Sequence, residues 1–160
     1  MTPRVIAAQP NYRAMAEFRY QIRKFLRFSE HAAREGGMEP QHYQLMLAIK
    51  GLPDNLRPRI GDIAERLQIQ HHSTVELVDR LSRRGLVRRK RSDKDRREVL
   101  LELTSRGERE LQEMAVHHRS AYRETAPMLV AALKRVLREP EASDGAGKKG
   151  KVARVRTRNA

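Results

Sequence analysis

Residues 60–91 read IGDIAERLQIQHHSTVELVDRLSRRGLVRRKR, and the spacing of their apolar positions changes along the run. An apolar residue every three or four positions predicts a short helix over 60–67 and a second helix over about 71–84, with a tight connection between them. Gly85 is expected to end the second helix. The residues beyond it can extend as a strand. The run therefore predicts two closely joined helices that lead into extended chain.

A β-hairpin is predicted after these helices. Val99, Leu101 and Leu103 occur at every second position, which indicates a second strand. Between the two strands, residues 92–97 read SDKDRR and form a charged tip without glycine. Two short helices followed by such a hairpin are typical of a winged helix-turn-helix, whose second helix enters the major groove of DNA.

Amphipathic helices are predicted on both sides of this unit. Apolar residues recur at helical spacing over about 12–34, and a further helix is expected over about 40–50. Downstream, a helix is expected to begin near residue 105, and Pro127 is expected to restart the chain as a final helix. The predicted fold class is mainly α with a small β-hairpin wing (α+β).

The charge of the chain indicates a polyanionic partner. Its 34 lysines and arginines exceed its 20 acidic residues, which gives a formal net charge of +14. Such an excess is typical of proteins that bind nucleic acid or an anionic membrane surface. No apolar run approaches the ~18 residues of a membrane span, so a membrane partner is not expected. With 4% aromatic residues and no Trp, the chain lacks the stacking platforms of single-strand binders. Double-stranded DNA is the expected partner.

Two sets of side chains are candidate DNA contacts. The first lies at the start and along the outer face of the second helix, where short or planar groups can read base edges. It comprises Gln70, His71, His72, Ser73, Thr74, Glu76 and Arg80. The second set lies on the hairpin, whose cations can reach phosphates or a narrow minor groove. It comprises Arg91, Lys94, Arg96 and Arg97.

Several of these segments, in this order, resemble the MarR family of bacterial regulators. The segments are 60–67, 73–81 and 84–87, then Asp95-Arg96-Arg97 and the sequence LTSRG at 103–107. The resemblance implies a homodimer that binds a palindromic operator. It also places Arg97 on the wing arginine that enters the minor groove and Asp95 on the residue that steadies it. Two positions depart from the family: Gln68 stands where glycine is frequent, and Gln70 where Asp or Ser often caps the helix.

The resemblance predicts a single MarR-like domain over 12–138. Its winged helix-turn-helix covers about 40–104, and its N- and C-terminal dimerisation helices cover about 12–35 and 105–138. Residues 1–11 form an N-terminal arm. Residues 139–160 form a basic tail whose composition predicts disorder. From Pro140 this tail carries six cations against two carboxylates, so the rest of the chain keeps a net charge of +10.

No enzyme activity, metal or cofactor is expected. The chain contains no cysteine, so it has no thiolate zinc site and no thiol nucleophile. Neighbouring histidines point about 100° apart on a helix and do not chelate as an i, i+4 pair does. The acidic residues of the hairpin are expected to be solvated and to pair with its arginines rather than to act as acid and base.

The sequence also offers candidates for a small-molecule effector pocket. Aromatic side chains could line a pocket between the first helix and the DNA-binding lobe, and arginines on that helix could hold a carboxylate. The candidates are Phe18, Arg19, Tyr20, Arg23 and Tyr43. The alternative for each aromatic residue is ordinary core packing.

The predicted function is a cytoplasmic, nucleoid-associated transcription regulator. It is expected to act as a repressor that binds double-stranded DNA as a homodimer. An aromatic or carboxylate effector is expected to release the repressor from DNA. The alternative is an architectural protein that binds DNA without sequence preference, because the charge alone would suffice for that.

Overall fold

The computed structural model describes residues 10–138 of the 160-residue chain. They form five helices and one two-stranded antiparallel hairpin. The elements are α1 (Tyr12–Glu35), α2 (Pro40–Lys50), α3 (Ile60–Leu67), α4 (His71–Arg83), β1 (Val87–Arg91), β2 (Val99–Leu103) and α5 (Ser105–Leu137). The predicted fold class is thereby confirmed. The whole of the expected basic tail and all but the last two residues of the expected N-terminal arm lie outside the described residues.

The last helix differs from the prediction. Pro127 was expected to begin a separate helix, but α5 runs without a break from Ser105 to Leu137 with Pro127 inside it. A proline in a helix interior removes the hydrogen bond to the carbonyl four residues earlier, here that of Arg123. Apolar residues continue at helical spacing on both sides of the proline, and packing along such a face can outweigh a local propensity.

Among the described residues, one hydrophobic core joins the hairpin to the helices. Its largest fully buried apolar side chains lie on α2, α3, α4 and the hairpin or directly before β1: Leu45, Met46, Ile63, Val78, Leu81, Leu86, Val87 and Leu101. The strands pair in a register that runs from Val87 opposite Leu103 to Arg91 opposite Val99. This register places Val87, Leu101 and Leu103 in the core, whereas Val99 is exposed near the tip.

The junction between the hairpin and α5 depends on two residues of the LTSRG segment. The Thr104 hydroxyl donates to the Gly85 carbonyl at 2.6 Å and accepts from the Gly107 N–H at 3.0 Å, so Thr104 caps α5. Gly107 packs so tightly that a Cβ there would lie 2.1 Å from the Leu86 carbonyl oxygen. The glycine is therefore required by close backbone approach.

The turn between α3 and α4 is made without glycine. Gln68 has φ +54°, and it is the only non-glycine residue among residues 10–138 with a positive φ. Its amide bonds to the Glu65 carbonyl, and the Ile69 amide to the Ala64 carbonyl, which closes the helix. The Gln68 side chain adds a bond to the same Glu65 carbonyl at 2.8 Å.

A buried histidine joins the two long helices, α1 and α5, to α2. His118 on α5 has no exposed surface. Its Nε2 lies 3.0 Å from the Ser29 carbonyl of α1, and its Nδ1 lies 3.2 Å from the Met114 carbonyl. Its ring stacks on Tyr43 of α2 with a centroid distance of 4.2 Å. One side chain thus contacts all three helices.

Candidate nucleic-acid interface

The start of α4 is open to solvent, as a DNA-reading helix requires. Gln70 precedes the helix and makes no side-chain cap hydrogen bond, and the first turn contains no acidic residue. Gln70, His71 and His72 are exposed, and Ser73 is half-buried. The N–H groups and positive dipole end of this helix are therefore not neutralised by a carboxylate of their own turn.

Thr74 is placed differently from the prediction. Its side chain is completely buried, and its hydroxyl donates to the Gln70 carbonyl at 3.2 Å. It therefore packs the beginning of α4 against the lobe and does not present a group to base edges. Sequence reasoning missed this because a threonine at a helix N-terminus looks like an accessible hydrogen-bonding residue until the inward face of the helix is known.

Glu76 and Arg80 lie one turn apart on the exposed face of α4. Their side chains approach to 3.4 Å as an i, i+4 ion pair. Such exposed pairs contribute only a few tenths of a kcal/mol, so either side chain is available to another partner at little cost.

The tip of the hairpin carries the unpaired positive charge. Four exposed side chains form no ion pair with any residue in 10–138: Arg91, Lys94, Arg96 and Arg97. The other cations of β1 are matched to carboxylates. Arg89 pairs with Asp79 of α4 at 2.7 Å, and Arg88 pairs with Glu102 of β2. The charge is thus neutralised along the strand and left open at the tip.

Asp95 contacts Arg97 through the backbone. One oxygen of its carboxylate accepts the Arg97 main-chain N–H at 2.9 Å, which is an Asx turn. The resemblance implied that Asp95 steadies Arg97. In this structure it does so by fixing the loop, and the Arg97 guanidinium remains without a carboxylate partner among the described residues.

A partly buried cluster at the base of the hairpin was not predicted as part of the site. Its members are Arg57, Arg59, Ser92 and Glu98, which we call the wing-base cluster. Burial opposes the charge of Glu98, but hydrogen bonds from Arg59 and Ser92 and the charge of Arg57 prevail and lower the pKa of its carboxyl. Nothing in the spacing of these residues indicated that the loop before α3 would reach the hairpin.

The far end of α4 is tied to α2. The Arg84 side chain lies 3.1 Å from Nδ1 of His42, which is itself buried. Burial and the neighbouring Arg84 charge lower the pKa of His42. His42 therefore favours the neutral form, which can accept a hydrogen bond from Arg84.

The predicted effector residues are dispersed. Arg19, Tyr20 and Arg23 are exposed on α1, and Phe18 is half-buried. Tyr43 is buried in the core beside His118, where burial and the nearby Tyr122 raise the pKa of its hydroxyl. Tyr43 is therefore a core residue, which was the alternative considered for the aromatic candidates. The effector pocket as a whole stays a prediction.

The described part of the chain offers no metal centre and no membrane span. No three His, Cys, Asp or Glu residues within 10–138 come together in a way that could hold a metal ion. Within the same residues, no helix is long and apolar enough to cross a bilayer.

Known proteins match this chain in two ways. Residues 36–98 match the sequence model of the MarR family, which confirms the predicted resemblance over the winged segment. A 46-residue stretch is 41% identical to the uncharacterized HTH-type transcriptional regulator YfiV of Bacillus subtilis. That alignment spans 29% of this chain and 29% of YfiV.

Solved structures share the fold over a larger part of the chain. The transcriptional repressor CouR bound to a 23-mer DNA duplex matches with 25% identity and a TM-score of 0.57, covering 75% of this chain and 88% of that chain. CouR from Rhodococcus jostii RHA1 bound to p-coumaroyl-CoA matches with 21% identity and a TM-score of 0.58, covering 71% and 81%.

Proposed function

We propose that this chain, whose residues 36–98 match the MarR family, is a transcription regulator that binds double-stranded DNA by sequence and is not an enzyme. The observation that carries the proposal is the pairing of an open α4 N-terminus with a hairpin whose tip cations have no ion-pair partner among the described residues. The first surface can read base edges, and the second can bind phosphates or the minor groove.

The division of charge supports binding through the tip rather than through the whole hairpin. Arg88 and Arg89 are held by carboxylates, so they contribute little to a DNA contact. Arg97 is exposed and held in place only through its backbone. We therefore assign the wing contact to the tip cations and the base contacts to Gln70, His71, His72 and Ser73. Thr74 keeps a structural role.

A homodimer is supported by apolar side chains left uncovered on the two long helices. Tyr12 is 73% exposed and Leu137 is 72% exposed. Further exposed apolar residues on these two helices include Met15, Tyr20, Leu26, Met128, Val130 and Leu133. Two copies that bury these faces against each other would present two α4 helices to a palindromic operator, with half-sites about 34–36 Å apart.

A repressor role and release by an effector complete the proposal. A DNA-bound CouR is named a transcriptional repressor, and a CouR structure contains p-coumaroyl-CoA. A ligand that binds between the long helices and the lobes would change the distance between the two α4 helices. Such a ligand lowers DNA affinity only if it binds the conformation with the changed α4 distance more tightly than the DNA-bound conformation. Arg19 and Arg23 are our candidates for holding its carboxylate.

Selection of DNA from a random pool tests this function. The full chain is incubated with random-sequence duplexes, and the bound molecules are recovered and sequenced over several rounds. We expect an inverted repeat whose half-sites are separated by about one helical turn. A pool without an enriched sequence would contradict the proposal and would favour the alternative, an architectural protein that binds DNA through its charge alone.

A further inference from the structure

The wing-base cluster links the hairpin to the helix-turn-helix through side chains. Glu98 follows the cationic tip, yet its side chain is only 10% exposed. One of its carboxylate oxygens pairs with Nε of Arg59, and the other pairs with Nη1 of Arg57. Both arginines belong to the loop that leads into α3. The carboxylate therefore joins two segments that are 39 residues apart in sequence.

The same cluster holds the tip of the hairpin. Arg57 Nη2 donates to the Ser92 hydroxyl oxygen at 2.8 Å. That oxygen also accepts the main-chain N–H groups of Lys94 and Asp95, at 3.2 and 3.3 Å. Ser92 is buried despite its position at the start of the tip. The Ser92 hydroxyl, which Arg57 contacts, thus fixes the backbone conformation of the tip.

Backbone hydrogen bonds complete this connection. The Ser92 amide donates to the Glu98 carbonyl, and the Glu98 amide donates to the Asp95 carbonyl, both at 2.9 Å. The Leu101 amide donates to the Pro58 carbonyl at 2.7 Å, between the two arginines of the cluster. The loop before α3 therefore lies against the hairpin through main chain and side chains together.

We propose that Glu98 is a positioning residue for DNA recognition, which fixes the hairpin tip and hence Arg97 relative to α4. This inference rests on the proposed function. The Glu98 carboxylate lies in the cluster, whereas the Arg97 side chain beside it in sequence is exposed to solvent. Without the carboxylate, two guanidinium groups would face each other at a partly buried site with no counter-charge, and the hairpin would separate from the loop.

A double-mutant cycle between Glu98 and Arg97 tests this role. The variants are Glu98→Gln, Arg97→Ala and the double variant, with the selected operator duplex as the probe. Glu98→Gln keeps the size of the side chain and removes its charge. We expect a loss of about 3- to 30-fold in operator affinity in the wild-type background. In the Arg97→Ala background we expect a change of less than about twofold, because the group that Glu98 positions is already gone.

Glu102→Gln is the matched control. It removes a carboxylate that also pairs with an arginine, Arg88, on the same hairpin but outside the wing-base cluster. Operator affinity should stay within about twofold of wild type. An equal loss in Glu102→Gln, or a Glu98→Gln loss that is fully additive with Arg97→Ala, would overturn the positioning role.

Amide hydrogen exchange of the DNA-free protein gives a readout that does not depend on an operator. Glu98→Gln should speed exchange at residues 94–98 and leave the amides of α4 unchanged. Arg59→Gln should give the same local change from the other side of the ion pair. Unchanged exchange at the tip in both variants would overturn the proposal. If the tip loosens but wild-type protein selects no operator, the proposed function fails while the structural link stands.

Discussion

Arg97 is the side chain on which we place the wing contact. It is exposed at the tip, and its guanidinium has no carboxylate partner among residues 10–138. Arg97→Ala should weaken binding to the selected operator by about 1–3 kcal/mol, measured by fluorescence anisotropy at moderate salt. Arg88→Ala removes a paired arginine of the same hairpin and should have a much smaller effect. Equal effects of the two substitutions would contradict the assignment.

Gly107 allows a different test at the residue scale. Its missing side chain lets α5 begin against Leu86, whose carbonyl oxygen would lie 2.1 Å from an added Cβ. Gly107→Ala should lower the free energy of unfolding by about 1–3 kcal/mol in urea denaturation. Gly61, inside α3, has open space at its Cβ position. Gly61→Ala should leave stability unchanged or raise it by up to about 1 kcal/mol. A neutral Gly107→Ala would show that the junction can shift.

At the scale of elements, the contact between α2 and α4 should make stability depend on pH. Burial and Arg84 lower the pKa of His42 in the folded chain below its ordinary value of 6.5. The unfolded chain therefore binds more protons at that group in weakly acidic solution. The contribution of His42 to stability is present above pH 6.5 and is lost as the pH falls through the lowered pKa.

His42→Asn measures this contribution. Between pH 7.5 and pH 5, the free energy of unfolding should fall more in the wild type than in the variant. Urea denaturation at each pH measures this free energy. The other histidines are present in both proteins, so the difference between the two curves isolates His42. Parallel curves would contradict the assignment of a lowered pKa to this residue.

The elements also show which features can be predicted from sequence. Helical spacing and the glycines at 36–37 and 85 located four helices within a few residues, because apolar periodicity reports the buried face directly. Pro127 misled the prediction of α5, since the loss of one backbone bond is a local effect that packing overrides. The wing-base cluster could not be predicted, because pairing between Arg59 and Glu98 depends on a tertiary approach across 39 residues.

In the candidate site, too, some features could be predicted from the sequence and others could not. The open start of α4 and the exposed hairpin tip followed from the order of the elements. The burial of Thr74 and Tyr43 did not, because it depends on which face of each helix meets the core.

For the molecule as a whole, the exposed apolar faces of α1 and α5 predict a dimer. Val130→Asp puts a charge on the exposed apolar part of α5 and should shift the protein towards monomers in sedimentation velocity. Leu47→Asp puts the same charge on an exposed apolar residue of α2, on the lobe, and should leave the dimer intact. Leu47→Asp thus serves as the matched control for Val130→Asp. A monomeric wild-type chain, or a dimer insensitive to Val130→Asp, would contradict the proposed arrangement.

The central claim is that the two lobes of a dimer recognise DNA by sequence. Its most direct test is the equilibrium affinity of the full chain for the selected duplex and for a scrambled duplex of equal length and composition, across a salt series. We predict a preference of about 10³-fold or more at physiological salt, with one dimer per site. Equal affinities that fall together steeply as salt rises would contradict the claim, because charge alone would then account for the binding.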